Sequence, residues 1–168
     1  SRSMKKRLLF SLIGCFVIIL NTGLYAQDKV EKHGKVGLGV SLFSMQDLSL
    51  LVNDVSYWST IYVPISLSDK YRLEPDFGFV KDDGGEFLWN MGLSFFFIKE
   101  KEKMNYYYGV RTGLYNTEYL FVGPAIRAEY FLYKQFSISA EAQLRGNLLG
   151  DGFSLGTSTS VMIRFYFK

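Results

Sequence analysis

Cysteine, histidine and proline are scarce in this 168-residue chain: one, one and three. Cys15 lies inside an N-terminal apolar run that reads as a leader, so the chain left after its removal has no thiol and forms no disulfide. His33 has no neighbouring histidine, cysteine or spaced carboxylate to complete a metal-ligand set. A Ser-His or Cys-His site would have to use it, and no nucleophile motif accompanies it. Helical periodicity is missing beyond Gln27. Asp82-Asp83-Gly84-Gly85-Glu86 lacks the ligand spacing of a calcium loop and reads as a solvated hairpin tip. Gly37-Leu38-Gly39 has no helix after it and is no nucleotide fingerprint.

The N-terminus has the three parts of a secretory signal peptide over residues 4–26. Met4-Lys5-Lys6-Arg7 is basic, Leu8 to Leu20 is apolar apart from Ser11 and Gly14, and Leu24-Tyr25-Ala26 offers a small residue for cleavage. The apolar run is short beside the roughly 20 residues of a membrane helix, so a retained anchor is the weaker reading. Leu12-Ile13-Gly14-Cys15 resembles a lipobox, but lipidation at Cys15 would leave Phe16 to Leu20 as a greasy new terminus. Ser1-Arg2-Ser3 ahead of Met4 is an added segment or a different start. Cleavage after Ala26 removes Arg2, Lys5, Lys6 and Arg7. The formal charge of +3 then becomes 15 basic against 16 acidic residues, or −1, and no reason to propose nucleic acid remains.

What is present in quantity is aromatic: 15 Phe and 12 Tyr. The mature residues alternate apolar with polar in eight segments, expected at 35–43, 56–68, 71–80, 86–98, 104–115, 119–133, 135–148 and 153–167. Short links rich in Gly, Asn, Asp and Lys join them, which makes an up-and-down antiparallel meander the simplest topology. Eight strands of this length close into a small barrel and are long enough to cross a bilayer when tilted.

Which face is wet decides between a soluble lipocalin-like binding barrel and a membrane barrel. Lysines 29, 32, 70, 81, 99, 101, 103 and 134 lie in links or near the mature start, whereas Arg72, Arg111, Arg127, Arg145 and Arg164 lie within strands. Arginine is the better residue for buried, forked pairing with carboxylates. The polar face is otherwise rich in Gly and Ser, including Gly39, Gly92, Gly113, Ser137 and Ser139, which leaves room for a few long side chains. The apolar face carries Tyr71, Phe87, Trp89, Phe95, Phe97, Tyr106, Tyr108, Tyr130, Phe136, Phe165 and Phe167 near strand ends, as interfacial girdles do. On a soluble surface these would be an aggregation hazard. The polar face is therefore expected inside, with Lys35, Arg72, Glu74, Asp76, Arg111, Arg127, Glu129, Glu141, Arg145 and Arg164 as a lumen charge network. Buried charges must pair. Glu129 and Glu141, each with an arginine two or four residues away, read as ion pairs and not as a catalytic carboxylate pair; Arg164 is expected to meet Glu141 or Glu129. The network reads as a plug, or else as a narrow, weakly anion-favouring pore.

This combination of signal peptide, eight alternating strands and an aromatic-rich last strand, Val161 to Lys168, resembles the small eight-stranded outer-membrane β-barrels of the OmpA/OmpX-like class, the outer membrane protein beta-barrel domain group. The resemblance spans about Lys35 to Lys168 and implies insertion by the outer-membrane assembly machinery, which reads a terminal aromatic. Phe165 and Phe167 are the candidate insertion signal, although Phe167 is penultimate and Lys168 is last.

The expectation is thus an all-β, eight-stranded antiparallel up-and-down transmembrane β-barrel over residues 27–168, exported to a bacterial outer membrane. It is expected as a lipid-embedded monomer, without cofactor or catalytic or metal site. Its leading role is structural or interactive, its second a porin-like channel, its third a lipid-modifying enzyme using His33. The 44–55 loop, with Phe43, Met45, Leu48, Leu50 and Leu51 in or beside it, is the expected partner-binding element.

Overall fold

The computed structural model describes residues 35–47, 55–81, 84–116, 119–149 and 152–167. The leader, Cys15, His33, residues 48–54 and Lys168 lie outside the described residues. Ten strands appear in chain order: β1 (Gly37–Asp47), β2 (Val55–Tyr57), β3 (Ser59–Tyr62), β4 (Ile65–Ser66), β5 (Tyr71–Lys81), β6 (Phe87–Lys101), β7 (Met104–Tyr115), β8 (Tyr119–Tyr133), β9 (Phe136–Leu149) and β10 (Gly152–Tyr166). Each from β5 to β10 pairs antiparallel with the next, and β10 pairs with β1 to close the sheet. Because β2, β3 and β4 together make one broken stave, the barrel has eight.

Closure rests on β1 and β10, which pair from Gly37↔Tyr166 to Asp47↔Thr157. The register shifts between Ser41 and Phe43, so one extra residue sits in β1. The bulge reverses parity: Gly37 and Gly39 face inward before it, and Ser44 and Gln46 are the buried ones after it. The first stave therefore runs four residues beyond the expected 35–43 and absorbs Ser44 to Asp47 of the expected loop. The second stave is broken where Pro64 supplies no N–H. Two residues of β3 pair with β1, Gly39↔Tyr62 and Val40↔Ile61, and β2 adds three pairs near Asp47. Single bonds such as Gly37 N–H to the Pro64 carbonyl (2.9 Å) and Trp58 N–H to the Ser44 carbonyl (2.9 Å) link the pieces. Strand β6 extends through Lys101, so Lys99 to Lys101 belong to the wall and the β6–β7 link is Glu102-Lys103.

The outer wall is apolar, with Leu38, Leu42, Leu93, Val110, Val122, Ile126 and Leu144 all exposed. Aromatic rings gather toward both ends. Tyr71, Phe95, Phe97 and Tyr108 stack near the end where the chain enters and leaves, the terminal end. Phe77, Phe79, Phe87 and Trp89 do so at the distal end. The inner wall is the reverse: Arg72, Glu74, Arg111, Glu129, Ser137, Ser139 and Arg164 are almost wholly buried. Aromatic residues share the inside, with Phe96, Tyr107 and Ala125 in one cluster and Trp58, Tyr115 and Phe121 in another.

Inward glycines make this filling possible. A Cβ on Gly39 would lie 2.9 Å from Arg164 Cγ, and one on Gly113 would lie 2.5 Å from the Phe121 ring. Gly109 and Gly123 are tighter, because a Cβ there would strike the backbone carbonyls of Phe95 and Leu144, which have nowhere to move within the ladder. Gly109→Ala and Gly123→Ala should each destabilise the barrel by about 1–3 kcal/mol through overpacking. Urea titration of the refolded protein in liposomes reads this as a lowered midpoint, and unchanged midpoints would contradict the close approach.

Candidate functional site in the lumen

Alternation along β5 turns Arg72, Glu74 and Asp76 inward, and the same parity on β7, β8, β9 and β10 delivers Arg111, Arg127 with Glu129, Glu141 with Arg145, and Arg164. Two carboxylates organise what they meet. Glu74 is gripped by Arg127 as a fork, Nη1 donating to Oε2 at 2.9 Å and Nη2 to Oε1 at 2.6 Å. Arg164 donates from Nη2 to both oxygens at 3.2 Å, and Arg111 donates from Nη2 to Oε1 at 3.4 Å. One carboxylate on β5 therefore holds guanidiniums from β7, β8 and β10.

Glu129 is the second hub, nearer the terminal end. Arg72 Nη1 donates to its Oε2 at 2.9 Å, and Ser137 Oγ donates to its Oε1 at 2.6 Å. The hydroxyls of Tyr107 and Tyr166 also donate to it. Tyr166 Oη in turn accepts from Arg72 Nη1 at 2.7 Å. The Arg72 guanidinium lies 4.6 Å from the Tyr107 ring centre, a cation–π contact in a water-poor setting. Glu141 takes Arg127 Nε at 2.8 Å and lies 3.2 Å from Arg111 Nη2, while Asp76 takes Arg111 Nη1 at 3.0 Å. Arg111 and Arg127 thus bridge Glu74, Asp76 and Glu141 into a mesh, and Arg164 links Glu74 to Glu129, the latter at 3.8 Å.

Arg145, toward the distal end, is bound differently. Its Nε donates to Gln143 Oε1 at 2.7 Å, its Nη1 donates to Gln46 Oε1 at 3.0 Å and also to the Tyr115 hydroxyl, and its guanidinium lies 4.3 Å from the Phe121 ring centre. Among the described residues no carboxylate is ion-paired with it. Its neutral partners connect it to the mesh, because Gln143 donates from Nε2 to Glu141.

Nine of the ten expected network residues are thus brought together inside. Lys35 is not one of them: it is exposed just before β1, where its carbonyl accepts from Ser66 N–H at 2.6 Å. At a strand end a long flexible ammonium side chain reaches water and avoids the cost of burial. Among the described residues the lumen therefore holds five arginines and four carboxylates of the expected set. Arg164 meets one of its two expected partners, Glu129, but lies closer to an unexpected one. Its nearest carboxylate is Glu74 across the lumen, with Glu129 at 3.8 Å and its other nitrogen donating to Ser139. Sequence distance favours the adjacent strand, but in so narrow a barrel the opposite wall is as near. Residues outside the expected set also shape the site: Tyr62, Phe96, Tyr107, Tyr115 and Tyr166 pack on the arginines. Their inward parity was the available signal. Phe165 and Phe167 are exposed at the terminal end, in edge contact at 5.8 Å. Of the apolar residues assigned to the partner-binding element, Phe43 and Met45 lie within β1, and Leu48, Leu50 and Leu51 lie outside the described residues. Among the described residues no group of His, Cys, Asp or Glu is placed to hold a metal ion.

The closed meander has solved counterparts. The crystal structure of Neisserial surface protein A superposes with a TM-score of 0.59 over 79% of this chain and 96% of that one, at 15% identity. The chain has the fold of a small transmembrane β-barrel. The N-terminal β-barrel domain of Pseudomonas aeruginosa OprF matches with a TM-score of 0.52, at 11% identity, over 80% of this chain and all of that domain. A de novo designed transmembrane β-barrel matches at 0.56, with 9% identity, over 81% of this chain and 98% of the design. No protein-family model matches the sequence, and no curated protein does. Identity this low carries the barrel fold and leaves the lumen as this chain's own.

The two hubs give a ranking. Glu74→Gln removes the charge shared by three guanidiniums at once and should cost about 3–5 kcal/mol, the penalty for breaking a buried ion cluster on one side. Asp76→Asn removes one contact and should cost less than half of that. Unfolding midpoints in urea, followed by tryptophan emission, test the order; equal losses would show that Glu74 is no hub.

Proposed function

We propose that this chain is an integral protein of a bacterial outer membrane, exported by a leader cleaved after Ala26, whose barrel is a sealed, non-catalytic structural or interaction element. The observation that carries this reading is the inversion of the wall. Charged side chains are buried across the lumen, while large apolar residues such as Phe87 (62% exposed) and Ile126 (63%) face outward. In water that exterior would drive aggregation; in a bilayer it is the solvated face. The aromatic clusters near both strand ends suit the two interfaces.

Sealing is supported by how the inside is filled. Arg72, Arg164, Tyr107, Tyr166, Phe96, Phe121 and Phe131 are all almost fully buried, and they come from both ends of the lumen. A conducting path would have to part Arg127 from Glu74 and Glu141 together, which strands charge in a low dielectric. In this reading the terminal end is periplasmic. Links 67–70, 102–103 and 134–135 are its turns, and the distal strand ends, Asp47 and Val55 among them, point to the cell exterior. The monomeric barrel needs no cofactor, and its partners are membrane lipid and, during insertion, the assembly machinery that reads Phe165 and Phe167.

The purified mature chain should require detergent, run with a heat-dependent gel shift, and give no steady open events in planar bilayers. Steady unitary currents would replace the sealed reading with a narrow channel. A chain that stays in the aqueous fraction without detergent and shows no shift would refute the membrane assignment.

A further inference from the structure

The outer wall is dented across β7, β8 and β9. The register sets Tyr106, Ala128 and Ala140 in one row across β7, β8 and β9, and Tyr108, Ile126 and Ala142 in the next. Three methyl groups beside two tyrosine rings and an isoleucine leave a groove of about 460 Å³ on the face turned away from the lumen. Arg127 and Glu141 contribute only its floor, since their side chains are buried on the inner side. The lining that remains is apolar, and the volume falls within the range of about 300–1,000 Å³ in which pockets hold a small molecule.

We infer that this groove holds one acyl chain of an anionic phospholipid, with the headgroup phosphate at the basic turn beside it. The inference rests on the membrane reading above. The groove belongs to the wall that this reading gives to lipid, and the exposed Tyr106, Tyr108 and Ile126 border it. It spans β7, β8 and β9 and lies toward the terminal end. Lys103 is three residues beyond Tyr106 on the same strand path, about 10 Å at the rise of a β-strand. Its carbonyl accepts from Phe131 N–H at 2.9 Å, which fixes the turn against β8. Lys99, Lys101 and Lys103 outnumber Glu100 and Glu102 there, and Lys134 lies in the neighbouring turn. That local excess suits a phosphate. A second copy of the barrel fits less well. Two-fold contact through this wall would bring the two lysine-rich turns face to face.

The test uses the folded mature barrel in detergent, its fold verified by the heat-dependent shift. Palmitoyl-oleoyl-phosphatidylglycerol is added and retention is read by native mass spectrometry. The wild type should keep one lipid. Ala140→Phe and Ala128→Phe, which fill the groove from outside, should lower retention about tenfold, the loss expected from roughly two buried methylenes. Lys103→Gln should weaken phosphatidylglycerol more than phosphatidylcholine. In the wild type alone, phosphatidylglycerol bearing a diazirine on its acyl chain should label peptides containing residues 106–108, 126–128 and 140–142. That arm remains decisive if a filled variant does not fold. Undiminished retention by folded Ala140→Phe, or labelling spread evenly around the wall, would overturn the inference. A dimer mass in the wild type that Ala140→Phe abolishes would assign the groove to a second copy and overturn it equally. A chain without the heat-dependent shift would bring down the membrane reading itself.

Discussion

The carboxylate of Glu74 faces guanidiniums from β7, β8 and β10 at distances from 2.6 to 3.4 Å. No water is needed to complete that arrangement, and no single partner would suffice for it. A buried carboxylate costs several kcal/mol unless it is matched in charge and geometry. The arginines reach it only because the sheet closes: β5 and β10 are distant around the wall but adjacent across the lumen. Closure and pairing are thus one condition. The inward glycines serve it as well, since Gly39 leaves space for Arg164 and Gly92 for Asp76.

The same geometry explains the different character of the two ends. Toward the terminal end, Arg72, Glu129, Tyr107, Tyr166 and Ser137 are joined to one another by charge and hydroxyl donors. Toward the distal end, Arg145 is held by amide and phenol oxygens and by a ring face. With five arginines to four carboxylates, the surplus positive charge of the lumen falls where neutral dipoles and aromatic quadrupoles can spread it.

Much of this was legible in the sequence because a strand has a period of two. Parity alone put Glu74, Arg111, Arg127, Glu129 and Arg164 on the inward face, and the six staves from β5 to β10 begin and end within about three residues of expectation. What was not legible has physical causes. The bulge after Ser41 adds one residue and reverses parity, which no alternation count anticipates. Pro64 breaks the second stave by the donor it lacks, although the surrounding residues keep their alternation. Partner choice in the lumen depends on strand tilt and curvature. Arg164 therefore took Glu74 from the opposite wall, and Lys35, placed at a strand end, left the network for water.

The uneven hydrogen bonding of the first stave has a mechanical side. On one flank β1 is zipped to β10 along almost its whole length, so the meeting of the barrel's first and last strands is a well-knit seam. Among the described residues its other flank meets fragments: two paired residues with β3, three with β2, the Val36–Ile65 bridge and isolated bonds around Pro64. Lateral stress on the barrel concentrates on that second line. Among the described pairings the first strand is therefore held to the barrel chiefly through the last one.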